Sequence, residues 1–100
     1  MVDSELMRCV TDAAVELCCG NAALKERLVF AVRALNVVLI RQEIWPVRLR
    51  QRAQEISDEL KLRGTPEQTI AVIDSQSARR LAERILRLYA DCQTASADPS

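Results

Sequence analysis

Apolar side chains recur along most of this chain at intervals of three and four. Leu6, Val10, Ala13 and Leu17 keep that spacing while Arg8, Asp12 and Glu16 stack on another face, which predicts an amphipathic helix over residues 4–19. Gly20 and Asn21 follow as its stop and the next start, since both tolerate positive φ and asparagine accepts from the free amides of a new helix. From Ala22 to Ile44 no glycine or proline interrupts a dense run that includes Leu24, Leu28, Val29, Phe30, Val32, Leu35 and Val37 to Ile40. The β-branched content also suits a strand. Glu26, Arg33, Asn36 and Glu43, however, fall on one stripe when wound at 3.6 residues per turn, and no period of two appears, so a second helix is predicted over 22–44.

Trp45 precedes Pro46, and a proline disfavours helical backbone in the residue before it. Pro46 itself suits the first turn of a third helix, where its missing amide hydrogen costs nothing. Leu49, Ala53, Ile56 and Leu60 carry that helix to Arg63, and Gly64 stops it. Thr65-Pro66-Glu67-Gln68 then has the form of a capping box, with a threonine N-cap, proline at the first helical position and glutamine three residues on. Ile70, Ile73, Ser77, Leu81, Ile85, Leu88 and Cys92 extend a fourth helix from 66 to 92. Asp74 to Ser77 form a weak patch within it, a place for a kink or restart, because these side chains compete for backbone bonds.

The expected fold is therefore all-α: a four-helix bundle or related compact helical pack with helices at about 4–19, 22–44, 46–63 and 66–92. Residues 1–92 make a single helical domain, and 93–100 read as a flexible tail. No internal repeat is evident. A length of 100 residues suits one core, and 49% apolar against 28% charged residues is a folding composition. The second helix carries more apolar surface than a peripheral helix needs. Either its companions wrap it, or a surplus face meets a second copy of the chain. A homodimer is the favoured expectation, with Leu28, Val32, Leu35 and Leu39 as candidate dimer face.

Charge narrows the partners. Fourteen basic and fourteen acidic side chains cancel, so overall charge does not steer the protein to nucleic acid or an anionic membrane. The longest apolar stretch, Leu28 to Ile40, is too short to cross a bilayer, and no signal-peptide pattern opens the chain, so a cytoplasmic protein without membrane contact is expected. Cys9, Cys18, Cys19 and Cys92 then read as free, partly buried thiols.

Catalytic chemistry finds little to work with. The chain has no histidine, no Cys-x-x-Cys pair and only two glycines, both placed as helix stops, which leaves no ordinary zinc ligand spacing and no phosphate-cradling loop. Asp12 with Glu16, and Glu55 with Glu59, are carboxylate pairs one turn apart, but on faces that also carry arginine, as solvated helix surface does. No enzyme, cofactor or metal is expected.

Two arginine clusters remain. In the stretch from Arg41 to Arg52, arginines at 48, 50 and 52 alternate, yet winding the helix puts Arg48 and Arg52 one turn apart and Arg50 about 200° away from Arg48. One reading makes this the solvated start of a helix with Trp45 as a core plug. The other makes Trp45, Arg48 and Arg52 part of a contact surface, since tryptophan and arginine are over-represented among residues that dominate binding energy. Arg79, Arg80, Arg84 and Arg87 form the second cluster, partly offset by Glu83 and Asp91. If the third and fourth helices are antiparallel neighbours, both clusters join into one positive region opposite an acidic first helix with Asp3, Glu5, Asp12 and Glu16. Candidate contact residues are then Trp45, Arg48, Arg52, Arg80, Arg84 and Arg87.

DNA reading is not favoured. A helix-turn-helix around Gly64 would carry Glu67 and Asp74 on the reading helix, and three aromatics in the whole chain offer little base stacking. Leu24-x-Glu26-x-Leu28-x-x-Ala31, the apolar helix after it, Gln-Arg-Ala-Gln-Glu at 51–55 and the Arg63-Gly64 stop together resemble small helical anti-CRISPR proteins that phages use against type I systems, over roughly the middle half of the chain. That resemblance implies an inhibitor that occludes a surface of a bacterial defence enzyme, with no functional residue carried over. The leading expectation is a small non-catalytic interaction module, a homodimeric adaptor or regulator of a protein partner. An anti-CRISPR-like inhibitor is the alternative, and a nucleic-acid-associated regulator using the arginine clusters is the third.

Overall fold

The computed structural model describes residues 3–19, 23–62 and 64–97, with the side chains of 19, 42, 96 and 97 left aside. It is all-helical: α1 (Ser4–Cys19), α2 (Leu24–Leu39), a 3-10 turn (Gln42–Ile44), α3 (Val47–Leu60), α4 (Pro66–Val72) and α5 (Ser75–Ala97). Side-chain caps set several of the starts. Asp3 Oδ1 accepts from the amides of Glu5 (2.9 Å) and Leu6 (3.3 Å), placing a carboxylate at the positive end of α1. α2 begins two residues later than the pattern predicts, after an Ala23 N-cap that lends no side chain. The Gly20–Asn21 stop and start lie outside the described residues.

The capping box at Thr65 is formed as its sequence predicts. Thr65 Oγ1 accepts from the Gln68 amide at 3.2 Å, and Gln68 Oε1 accepts from the Thr65 amide at 3.0 Å. Gly64 is part of this motif. Its φ is +110°, and a Cβ there would lie 2.3 Å from Gln68 Oε1, so any side chain would collide with the returning glutamine.

The weak patch at Asp74 to Ser77 turns out to be a restart, so the predicted fourth helix is two helices. Ile73 is extended (φ −74°, ψ 154°), and Asp74 Oδ1 accepts from the Ser77 amide at 2.7 Å to cap α5. That carboxyl lies below the usual carboxylate range, chiefly because of its hydrogen bonds from Ser77 and further because Arg80 and Lys25 attract its charge. α5 then runs to Ala97, past the expected end at 92. Cys92 and Ala95 keep its apolar side buried, and residues 98–100 are outside the described set.

α2 sits at the centre and packs against α1, α3, α4, α5 and the 3-10 turn. Leu28, Val32, Leu35 and Leu39, the expected dimer face, are buried within the single chain. They are core, not an interface. The companions wrap α2: α1 is its most extensive neighbour, and α3, α4 and α5 add to the enclosure, with α4 held along α2 by Lys25 Nζ donating to the Ala71 carbonyl (3.3 Å) and by the Arg33–Glu67 ion pair (3.5 Å). What α2 leaves outside is a different stripe, Phe30, Val37 and Ile40, between 48% and 66% exposed.

The Trp45-Pro46 junction ends α2 five residues earlier than predicted. Trp45 is only 1% exposed, and its indole Nε1–H donates to the Val38 carbonyl at 2.9 Å, an acceptor that a continuing helix would have offered to residue 42. Arg41 N also bonds Val38 O (3.1 Å), tightening the end into the 3-10 turn. Pro46 caps α3 from outside, its carbonyl accepting from the amides of Leu49 and Arg50.

Trp45→Ala should lower stability by about 3–5 kcal/mol, and Trp45→Phe, which keeps ring bulk but gives up the Val38 bond, by clearly less. Urea unfolding followed by circular dichroism reads both. A loss below about 1 kcal/mol for the alanine variant would contradict a packed indole.

Candidate functional site

α3 and α5 pack side by side. On each, positions spaced by four and three fall on one stripe: Arg48, Arg52, Glu55 and Glu59 on α3, and Arg80, Arg84, Arg87 and Asp91 on α5. The stripes meet across the seam. Arg52 pairs with Asp91 and Arg84 with Glu59, through Nη1 in both cases. A step of seven residues forward along α3 is thus matched by seven backward along α5, which fixes an antiparallel register with two ion pairs two turns, about 10 Å, apart.

Between the pairs lies a groove of about 260 Å³ lined by Arg52, Glu55, Ile56, Arg84, Arg87 and Leu88. A second hollow of about 240 Å³ continues it past Arg52, lined by Arg48, Leu49, Asp91 and Thr94. The apolar side chains at its base belong to the core, so the surface is a basic seam over a fixed floor. Four arginines, Arg48, Arg52, Arg84 and Arg87, gather here with the carboxylates of Glu55, Glu59 and Asp91. Among the described residues, no ion pair involves Arg48, Arg80 or Arg87.

Both cross-seam pairs are about half exposed on the arginine side, and exposed pairs are worth only about 0.2–1 kcal/mol each. Leu49, Ile56, Leu88 and Ile85, all buried, hold the two helices together far more strongly. The main effect of Asp91 and Glu59 is therefore local: they fix where two guanidinium groups sit, each of which has further N–H donors besides the one engaged.

Of the six sequence candidates, Arg52, Arg84 and Arg87 meet in the groove and Arg48 lines the hollow beside it. Arg80 lies one turn beyond Arg84, outside both and nearer Asp74. Trp45 is excluded as a contact residue by its burial. Arg50, the middle arginine of the alternating trio, belongs to the junction instead: Nε donates to the Trp45 carbonyl (3.1 Å) and Nη2 to that of Glu43 (3.4 Å). Sequence reasoning missed the cross-seam roles of Asp91 and Glu59, which the 3.6-residue winding of both helices contains once an antiparallel register is assumed.

Nothing else gathers into a chemical centre. Among the described residues no cluster of cysteine, aspartate and glutamate is arranged to hold a metal ion. Cys9, Cys18 and Cys92 are free thiols, the first and last buried. Burial, and secondarily the charge of Asp91, pushes the Cys92 thiol up to about 11, which keeps it protonated and poorly nucleophilic near neutral pH. No described helix is long and apolar enough to cross a membrane. Comparison with known protein families, curated proteins and solved structures finds no match to this chain, so no relative supplies a role for any residue.

The Cys92 shift sets a pH dependence. The unfolded thiol, near 9.0, loses its proton before the folded one, so the unfolded state binds fewer protons between about 9 and about 11 and stability falls as pH rises through that window. The drop should be on the order of 2 kcal/mol and absent from Cys92→Ala. Equal alkaline slopes for the two proteins in urea titrations would refute it.

Proposed function

We propose that this chain is a non-catalytic helical interaction module, an adaptor or regulator, that contacts a protein partner through the arginine seam of α3 and α5. The carrying observation is the pairing of Arg52 with Asp91 and Arg84 with Glu59 beside the exposed Arg48 and Arg87, a set of positive groups on two packed helices of which two are held by ion pairs. Arginine presented this way suits docking on carboxylates, because its planar fork loses little freedom on binding. Occlusion of a defence enzyme's surface, which the anti-CRISPR resemblance implies, is one form such a contact takes. The absence of histidine and the raised Cys92 pKa support a module without catalysis. Free buried thiols support a reducing, cytoplasmic setting.

Self-association belongs to the same proposal, on a different face from the one the sequence suggested. Phe30, Val37 and Ile40 share the outer stripe of α2, and Arg33 stands 5.8 Å from the Phe30 ring centroid. A second copy covering that stripe would remove three large apolar side chains from water.

The seam is tested by capturing partners from the native cell with the wild-type chain and with Arg48→Glu/Arg87→Glu, using Arg79→Glu as an exposed control. The double variant should lose the partner at least tenfold while the control keeps it. Capture indifferent to the seam variant removes the reading, and capture of nucleic acid with steep salt dependence moves it to the third expectation.

The α2 stripe is tested by sedimentation of the purified chain at micromolar concentration. A dimer that Val37→Asp dissociates is expected. A monomer at all concentrations would end the self-association proposal.

A further inference from the structure

Resting on the proposed function, we infer that the ligand of the seam is an acidic linear segment of the partner protein, with carboxylates about 10–12 Å apart that engage Arg87 and Arg48. The spacing follows from the register. Arg87 faces the seam at the level of Ile56, and Arg48 lies eight residues, about 12 Å, away along α3, with Arg52 between them. An extended segment spans that distance in three or four residues, at about 3.3 Å each. A helical segment spans it in two turns, at about 5.4 Å each.

Charge complementarity selects this occupant. Arg52 and Arg84 already have carboxylate partners, so the positive charge left for a ligand is concentrated at two separated points. Discrete carboxylates on a peptide match two points. A nucleic-acid duplex instead presents one charge per about 1.7 Å, and its phosphates would run past Glu55, Glu59 and Asp91 at a repulsive cost with each passage. No aromatic ring lines the two hollows of the seam: Trp45 is buried, Phe30 is on α2, and the half-buried Tyr89, although on α5, borders neither hollow. The bound segment extends a pattern the fold already uses: Asp91 and Glu59 show that carboxylates pair with these arginines from across the seam.

The test uses fluorescein-labelled synthetic peptides with the full chain, read by fluorescence anisotropy. One peptide carries two glutamates four residues apart, on the same face and about 13 Å apart when extended, and a second replaces both with glutamine. The acidic peptide should bind at least tenfold more tightly than the neutral one. Arg48→Glu and Arg87→Glu should each weaken it at least fivefold, and salt raised from roughly 50 to 300 mM should weaken it further. These arginines are exposed, so circular dichroism should match the wild type, and amide shifts in the wild-type chain on titration should cluster at residues 48–56 and 84–91. Equal binding of the two peptides, or binding unchanged by both arginine variants, overturns the inference. If partner capture nevertheless depends on the seam, the interaction module stands and only the ligand class is wrong. If a labelled DNA or RNA strand binds in the peptide's place with the same arginine dependence, the ligand is a polyphosphate and the inference falls.

Discussion

A helix that ends inside a fold leaves its last carbonyls without intrahelical partners, and this chain meets that constraint with side chains sent from elsewhere. Arg27 Nη1 donates to Leu17 O at 2.7 Å, closing the end of α1 from α2. The Trp45 indole closes α2 at Val38 O, Thr69 Oγ1 closes α3 at Leu60 O from α4 (2.7 Å), and Lys25 Nζ closes α4 at Ala71 O from α2. Each bond joins two elements while it satisfies a terminus, so helix length and helix placement are decided together. Two of the donors, Arg27 and Lys25, are cationic groups at the negative end of a macrodipole, where positive charge is favoured.

These closures explain why α2 becomes the axis of the structure. It receives or sends three of the four, and it carries six buried apolar residues from Leu28 to Leu39. Cutting α2 at Leu39 instead of Ile44 lets Trp45 fold back into the core, and cutting the last helical run at Ile73 frees α4 to lie over α2. Five helices thus enclose what four would have left partly bare. The surplus apolar surface inferred from composition is real, but most of it faces inward, and only the Phe30–Val37–Ile40 stripe remains outside.

Local chemistry was the readable part of the sequence. The 3.6-residue period carried the all-helical class, Thr65 to Gln68 spelled a cap that forms as written, and Trp45-Pro46 marked the start of α3 to within a residue, though not the end of α2. Decisions made by tertiary contacts were not readable. The helix from 22 to 44 stops short because an indole seven positions away competes for Val38 O, and no periodicity encodes that competition. Leu28, Val32, Leu35 and Leu39 read as an external face from spacing alone, yet α1 and the other helices packed on α2 enclose it, because burial depends on which neighbours arrive. For the seam, the two arginine stripes followed from winding alone, whereas the selection of Arg52 and Arg84 by Asp91 and Glu59 needed the register between helices.

That register gives the seam its character. Had the two helices slipped by one turn, four residues, Arg52 would have faced Arg87, but Arg48 would have met Asp91, Glu55 Arg84 and Glu59 Arg80, so charge alone does not choose the register. The apolar floor prevents the slip, since Leu49 and Ile56 on α3 pack into a core shared with Ile85 and Leu88 on α5 and any displacement would unpack them together. Hydrophobic packing therefore sets the electrostatics, and the ion pairs follow. A surface whose charged residues are positioned by its core keeps their order along the seam when salt weakens the pairs, because the backbone positions that carry them stay fixed while the guanidinium groups themselves gain freedom. Such a face discriminates partners by where their carboxylates fall, and overall charge, which here is zero, contributes little to the choice.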